Sequence, residues 1–483
     1  MILTNMNLGP VLPELFLLVA GLAILMLDLV LEENQRGLLH WFSVATLAGC
    51  AALTLQPSAE PVFLFNNMFV GDALSGVLKF AACAVTAVSL CYSRSYIAAR
   101  GMFRVEFYAL ALFAVLGMLV MISANHFMVL YLGLELMSLS IYAMVALQRD
   151  STKSTEAALK YFVLGALASG MLLFGMSMLY GATGSLNIGV VAQKIASGGA
   201  NPVLNSIGVV FVVAGLAFKL GAVPFHMWVP DVYEGSPTAV TLFIGSAPKL
   251  AAFAFVIRML AVGLAGLSAD WQQMLIILAV LSMGLGNLTA IAQTNIKRML
   301  AYSAISHMGF MLLGIIGANA NGFASSMFYI IAYVIMTAGT FGIIMLLAGE
   351  QGEADDFDTF RGLNQRSPWK AFVMLLLMAS MAGIPGTVGF LAKLSVIQAV
   401  VDIGQIWLAV VSVLFSLIGA FYYLRVIKLM YFDEPVANIA LPGASESRAL
   451  LSLNGIAILA LGILPQSLMN VCVEAIRHSL HLA

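Results

Sequence analysis

The chain has 483 residues, of which 61% are hydrophobic and only 9% charged, and its mean hydropathy is +1.00. Ordinary globular domains are about 45–50% apolar and about 25% charged, so the composition excludes a soluble enzyme and defines a polytopic membrane protein. A net charge of −1 with no basic tail or stripe argues against nucleic acid as a partner. Four scattered cysteines, Cys50, Cys83, Cys91 and Cys472, form no CxxC pair, which argues against iron–sulfur and structural zinc sites.

Residues 11–31 read as a retained first span, because neither a basic leader nor an A-x-A cleavage site accompanies them. Apolar runs of about 18–25 residues, enough to cross roughly 30 Å of hydrocarbon, then recur along the chain. The first six are 11–31, 38–55, 72–92, 105–123, 127–147 and 157–180. A run at 206–229, broken by Gly221 and Pro224, is followed by 237–261, 271–292, 301–318 and 323–348. A second broken run, 370–401, carries Gly383-Ile384-Pro385-Gly386, and 405–430 and 449–472 complete a count of fourteen.

Loop charges test that count. With the N-terminus outside, the inward loops hold fourteen basic residues: Arg36, Arg94, Arg100, Arg104, Arg149, Lys153, Lys297, Arg298, Arg361, Arg366, Lys370, Arg425, Lys428 and Arg448. The outward side holds Lys194, Arg258 and Arg477. This is the asymmetry of the positive-inside rule, and it puts both termini outside. Five lysines remain within the spans: Lys79, Lys160, Lys219, Lys249 and Lys393.

The step along the chain from the break at Pro224 to the break at Pro385 nearly equals the step from the span beginning at Val105 to the one beginning at Trp271. These offsets suggest that spans four to eight and nine to thirteen are copies. Five helices is an odd number, so the second copy enters from the opposite face as an inverted repeat. The predicted architecture is all-α, with about fourteen transmembrane helices, two inverted five-helix repeats and broken helices seven and twelve. Its segments are three N-terminal spans (1–104), the first repeat (105–261), the second (262–430) and a C-terminal span (431–483).

Ionisable side chains at membrane depth need a reason, and a helix broken there is tolerated only against protein or a watery cavity. Glu135 lies near the middle of its span, where a carboxylate either finds a cation or takes up a proton. It serves either in proton movement or in a structural ion pair. Lys219 precedes the first break by five residues, so carbonyls freed at Pro224 are within its expected reach, and Lys249 follows Pro248 in the next span. Both suit proton exchange or helix packing. Lys393, eight residues past Pro385, suits the same role or snorkels to the outer face. Lys160 follows Glu156 by four residues, so an i,i+4 pair competes with a relay role. His307, with Ser303 and Ser306 just before it, maps near Glu135 by the repeat offset and suits a relay or a core histidine. His226, beside Trp228 and Asp231, sits at the expected inner mouth. Lys79 pairs with Asp72 or lines a cavity. No G-x-G-x-x-G joins a strand to a helix and no Walker A motif occurs, so an ion gradient or a partner must drive any proton movement.

The segment KLGAVPFHMWVPDVYEGSPTAVT with APKLAAF resembles the antiporter-like membrane subunits of respiratory complex I, as do YLGLELMSLSIYAMVA, NIKRMLAYSAISHMGFMLLG and GIPGTVGFLAKL. The resemblance extends over nearly the whole chain, and the APK run is similar to the N-type branch. It implies that Glu135 is the fifth-helix carboxylate, Lys219 the lysine of broken helix seven, Lys249 the connecting lysine and Lys393 the terminal residue of broken helix twelve. It also implies proton translocation in a bacterial inner membrane, among other membrane-arm subunits and paralogues. NADH, FMN, iron–sulfur clusters and quinone would then be handled by partner subunits, with no cofactor in this chain. The other classes compatible with the residues are a cation/proton antiporter without redox partners and a membrane scaffold.

Overall fold

The structure is a computed structural model that describes residues 8–32, 35–55, 60–348, 352–435 and 445–480. The extreme termini, whose side of the membrane the loop charges address, lie outside the described residues. The N-terminal part comprises α1 (Leu12–Asp28), α2 (Gly37–Thr54), a hairpin of β1 (Val62–Leu64) and β2 (Phe69–Gly71), and α3 (Ala73–Ala99). Then follow α4 (Val105–Ile122), α5 (Phe127–Val145), α6 (Thr152–Thr183), α7 (Ile188–Ala196), α8 (Pro202–Leu220), α9 (Trp228–Gly235), α10 (Thr238–Gly245) and α11 (Ala247–Val256). The next group is α12 (Ser268–Ile291), α13 (Ile296–Ile316), α14 (Ala320–Leu347), α15 (Leu363–Arg366), α16 (Pro368–Ala382), α17 (Val388–Asp402) and α18 (Ile406–Phe432). The chain closes with α19 (Ser445–Ile463) and α20 (Gln466–Leu480).

Among the described residues, twelve helices are long and apolar enough to cross a membrane, and a bent pair makes up to thirteen. The remaining expected span, 370–401, is α16 and α17, each of 15 residues and too short to cross alone. The last expected span, 449–472, is bent: its helix runs to Ile463, and the chain then turns by 77° into α20. That helix packs on α3 and α14, and the Leu74 amide donates to Ser479 Oγ at 2.9 Å. Pro465 explains the turn, since it cannot donate the hydrogen bond that would continue the helix.

Both breaks are built alike. Helix α8 ends at Gly221 (φ +76°), where the amides of Gly221 and Ala222 donate to Phe218 O and Ala217 O. Helix α16 ends at Gly383 (φ +89°), where the amides of Gly383 and Ile384 donate to Ser380 O and Ala379 O. This is the double C-terminal closure that a left-handed glycine permits, and it satisfies carbonyls that lipid cannot.

Other details recur at one spacing. His126 bridges Asn187, and Asn295 bridges Asp356; the step from His126 to Asn295 is the same as that from Asn187 to Asp356. The amides behind those bridges, Phe127 to Leu186 O at 2.9 Å and Ile296 to Asp355 O at 2.8 Å, keep that step. So does the helix crossing beside them. A Cβ on Gly117 of α4 would lie 2.6 Å from Gly133 O of α5, and one on Gly286 of α12 would lie 2.9 Å from Tyr302 O of α13. Neither pair of helices can close so tightly with a larger residue there.

Candidate functional site

Two of the buried lysines, Lys249 and Lys393, sit at the two breaks. In the first half, Ser169 Oγ on α6 donates to Glu135 Oε1 on α5 at 2.5 Å, and Lys219 Nζ on α8 donates to Ser138 Oγ on α5 at 3.1 Å. Among the described ion pairs, none joins Glu135 to Lys219 directly. Each holds a serine hydroxyl instead. Lys219 does not reach the carbonyls freed at the break either. It lies within the last turn of α8, and its side chain crosses to α5 while the helix end faces α11.

The break carbonyl goes to the other lysine. Lys249, 2% exposed, donates from Nζ to Leu220 O at 2.6 Å, and Leu220 is the last residue of α8. In the second half Lys393, 7% exposed, donates to Ala382 O at 3.0 Å, and Ala382 is the last residue of α16. Lys393 also donates to Ser416 Oγ on α18 at 3.0 Å and lies 5.1 Å from the centre of the Phe310 ring. Its ammonium therefore turns inward onto the break and does not snorkel. An ammonium on a helix C-terminus satisfies an orphan carbonyl and opposes the negative end of the helix dipole.

His307 on α13 is buried, and its two ring nitrogens meet hydroxyls: Nδ1 lies 2.6 Å from Tyr329 OH on α14, and Nε2 lies 3.0 Å from Tyr423 OH on α18. Ser303 reaches it only through Tyr423, whose hydroxyl it also hydrogen-bonds. The flanking serines expected from the sequence are thus displaced by tyrosines from two other helices, a contact that no local pattern announces. A faint signal is present in the consecutive phenols Tyr422-Tyr423 within an apolar span.

At the end of the bundle that carries the basic loops, α9 is gripped from both halves. Asp231 accepts from Lys160 and Arg298, each at 2.8 Å, and Glu234 accepts from Lys153 at 2.9 Å and Arg298 at 3.0 Å. Lys160 also pairs with Glu156 at 2.8 Å, so it holds the i,i+4 partner and α9 together. Burial alone would push the Asp231 carboxyl up; the hydrogen bonds from Lys160 and Arg298 prevail and hold it below the usual carboxylate range. Glu234 is lowered in the same way, with Lys153 and Arg298 overcoming burial. His226 lies in the turn between α8 and α9, with its Nδ1 buried and unpartnered, and Asp231 is committed to the cations instead. Lys297, counted with the inner loops, is 1% exposed and donates to Ser236 O at 2.6 Å.

Two buried ion pairs escape the sequence pattern. Lys79 pairs with Glu14 of α1 at 2.6 Å, not with Asp72. Asp72 receives a bidentate clasp from Arg258 at 2.7 and 2.8 Å while its Oδ1 also caps α3 through the Ser75 amide. Arg258 is therefore a buried structural cation and not a loose outward charge.

A helical bundle with two interrupted spans, each ended by a left-handed glycine and held by a buried lysine, defines a multi-pass membrane protein of the discontinuous-helix class. The chain belongs to the NADH:quinone oxidoreductase/Mrp antiporter transmembrane family, whose model matches residues 124–419. Curated relatives named NADH-quinone oxidoreductase subunit N are 59% identical over 475 residues in Thiobacillus denitrificans and 60% identical over 472 residues in Nitrosomonas europaea. In both cases 98% of each chain is covered. A chain of respiratory complex I from Thermus thermophilus, solved with bound aureothin, superposes with a TM-score of 0.82 at 32% identity, covering 95% of this chain and 98% of that one.

Proposed function

We propose that the chain carries protons across a bacterial inner membrane as one subunit of an NADH:quinone oxidoreductase. The path runs along Glu135, Lys219, Lys249, His307 and Lys393, with Lys160 and His226 feeding it from the inner face. NADH oxidation, through FMN and iron–sulfur clusters, and quinone reduction belong to partner subunits, among them other membrane-arm paralogues. Both termini face the periplasm. The constant step that relates the His126–Asn187 bridge to the Asn295–Asp356 bridge supports two copies of one five-helix unit in opposite orientations.

The observation that carries this reading is the matched pair of contacts at the breaks, Lys249 on Leu220 O and Lys393 on Ala382 O. A buried ammonium of this kind holds a proton at a place where the backbone itself can rearrange. Charge is costly in a dry site, so a small change nearby decides whether the proton stays. In the first half Glu135 and Lys219 each hydrogen-bond a serine, Ser169 and Ser138 respectively. Closing that pair would hold charge near Lys219, and opening it would free the proton for Lys249. Release past Lys393 would then reset the chain.

The test is proton pumping by the assembled complex in membrane vesicles. Lys219→Ala or Glu135→Ala should lower the number of protons moved per electron pair while the complex stays assembled. An unchanged ratio in either fully assembled variant sinks the reading. Pumping that requires sodium and proceeds without NADH would favour a cation/proton antiporter instead.

A further inference from the structure

The four groups Ser303, Tyr423, His307 and Tyr329 form one unbroken hydrogen-bonded chain across α13, α18 and α14. All four are at most 3% exposed. A neutral imidazole has one N–H and one bare nitrogen, so of its two tyrosine partners one must donate to it and the other must accept. The chain therefore has two polarities. In one, Ser303 donates to Tyr423, Tyr423 donates to Nε2, and Nδ1–H donates to Tyr329. In the other, every bond is reversed.

Building on the proton path proposed above, we propose that Tyr423 and Tyr329 are proton-carrying residues that flank His307. A proton arriving on Ser303 Oγ displaces the serine hydroxyl proton onto Tyr423. The Tyr423 proton passes to His307 Nε2, the Nδ1 proton passes to Tyr329, and the hydroxyl proton of Tyr329 leaves. One O–H or N–H bond forms for each that breaks, and every group is neutral before and after. The chain then stands in its opposite polarity and recovers when the hydroxyls turn and the imidazole exchanges its nitrogens.

Geometry favours this over a packing role. In a dry core an imidazolium would stand without a counter-charge, whereas a chain that hands on one proton while accepting another need not hold the extra charge. The exit end also points the right way. The Tyr329 ring stacks on Phe310 (6.5 Å between centres, 15° between planes), and the Lys393 ammonium lies 5.1 Å from the centre of that same Phe310 ring. At the entry end, Tyr422 packs on Tyr423 with centres 4.3 Å apart and spends its own hydroxyl on Asn287 Oδ1 at 2.9 Å. The Tyr423 hydroxyl itself meets both Ser303 and His307.

The experiment uses the whole complex in proteoliposomes. Tyr423→Phe and Tyr329→Phe keep the rings and remove the hydroxyls, and each should slow proton movement about tenfold or more. His307→Gln is measured beside them. If the phenylalanine variants pump normally while His307→Gln does not, this inference fails and the path stands; if all three pump normally, the path itself is wrong. Should a phenylalanine variant fail to assemble, 3,5-difluorotyrosine placed at 423 keeps both shape and hydroxyl while making the phenol more acidic. A relay then shifts the pH profile of pumping downward, and an unmoved profile overturns the proposal.

Discussion

The ammonium of Lys249 closes the end of another helix: it lies 2.6 Å from the carbonyl of Leu220, 29 residues earlier in the chain. Lys249→Met removes both donor and charge and leaves a buried carbonyl without that partner, a loss of about 1–3 kcal/mol. Lys249→Gln keeps a donor but no proton to give. Amide exchange over residues 221–227 in the purified complex should accelerate with Met more than with Gln, while pumping falls in both. Equal exchange in the two variants would show that the contact does not hold the break.

The serines that Glu135 and Lys219 hydrogen-bond are expected to act as spacers. Ser138→Ala and Ser169→Ala each remove one competitor for a charged group, and together they leave carboxylate and ammonium to pair with each other. A tight pair is slow to open, so the double variant should pump more slowly than the two single losses combined. Initial rates in vesicles measure this, and simple additivity would contradict it.

The grip on α9 has a defined pH window. Asp231 and Glu234 are both held below their ordinary values, so their contribution is fully present above the unfolded values of about 3.9 and 4.3. It is lost as pH falls through the lowered folded values. Thermal stability should thus be flat with respect to this cluster from pH 5 to 8 and drop in stronger acid. The Arg298 pairs are partly exposed, so each contributes about 1 kcal/mol or less. Scanning calorimetry of Asp231→Asn with Glu234→Gln should show a shallower acid decline than the parent, and an identical decline would assign it elsewhere.

Asp72 and Arg258 offer the opposite case, since both are buried. Asp72→Asn should destabilise by about 3–5 kcal/mol, because the guanidinium is left without its charge partner. Asp72→Leu combined with Arg258→Leu should recover much of that loss. The yield of folded, assembled complex and its melting temperature report the comparison; a double variant as poor as Asp72→Asn would refute it.

Span positions and breaks are legible in the sequence because both follow from composition: apolar length marks a span, and Gly with Pro marks an interruption. Buried Lys249 and Lys393 stand out because lysine is so rarely placed at that depth. Their partners do not, since a backbone carbonyl has no signature in sequence. Proximity along the chain assigns the break carbonyl to Lys219, yet helical direction aims that lysine at Ser138 and leaves Leu220 O to a lysine from a different helix. Likewise, Tyr329 and Tyr423 lie 22 and 116 residues from His307, so only tertiary packing brings them to its two nitrogens. Nothing in the first span announces that Glu14 meets Lys79 of the third.

The step along the chain that carries His126 to Asn295 also carries Ser138 to His307. The sequence offsets pair His307 loosely with Glu135; the backbone contacts shift that correspondence by one turn. At one and the same position, then, the first half keeps a small hydroxyl that receives an ammonium, and the second keeps a ring whose two nitrogens meet two phenols. If the halves descend from a single ancestral unit and protons follow the proposed path, they have divided its labour: one manages where a charge sits, and the other moves a proton while its own charge stays constant.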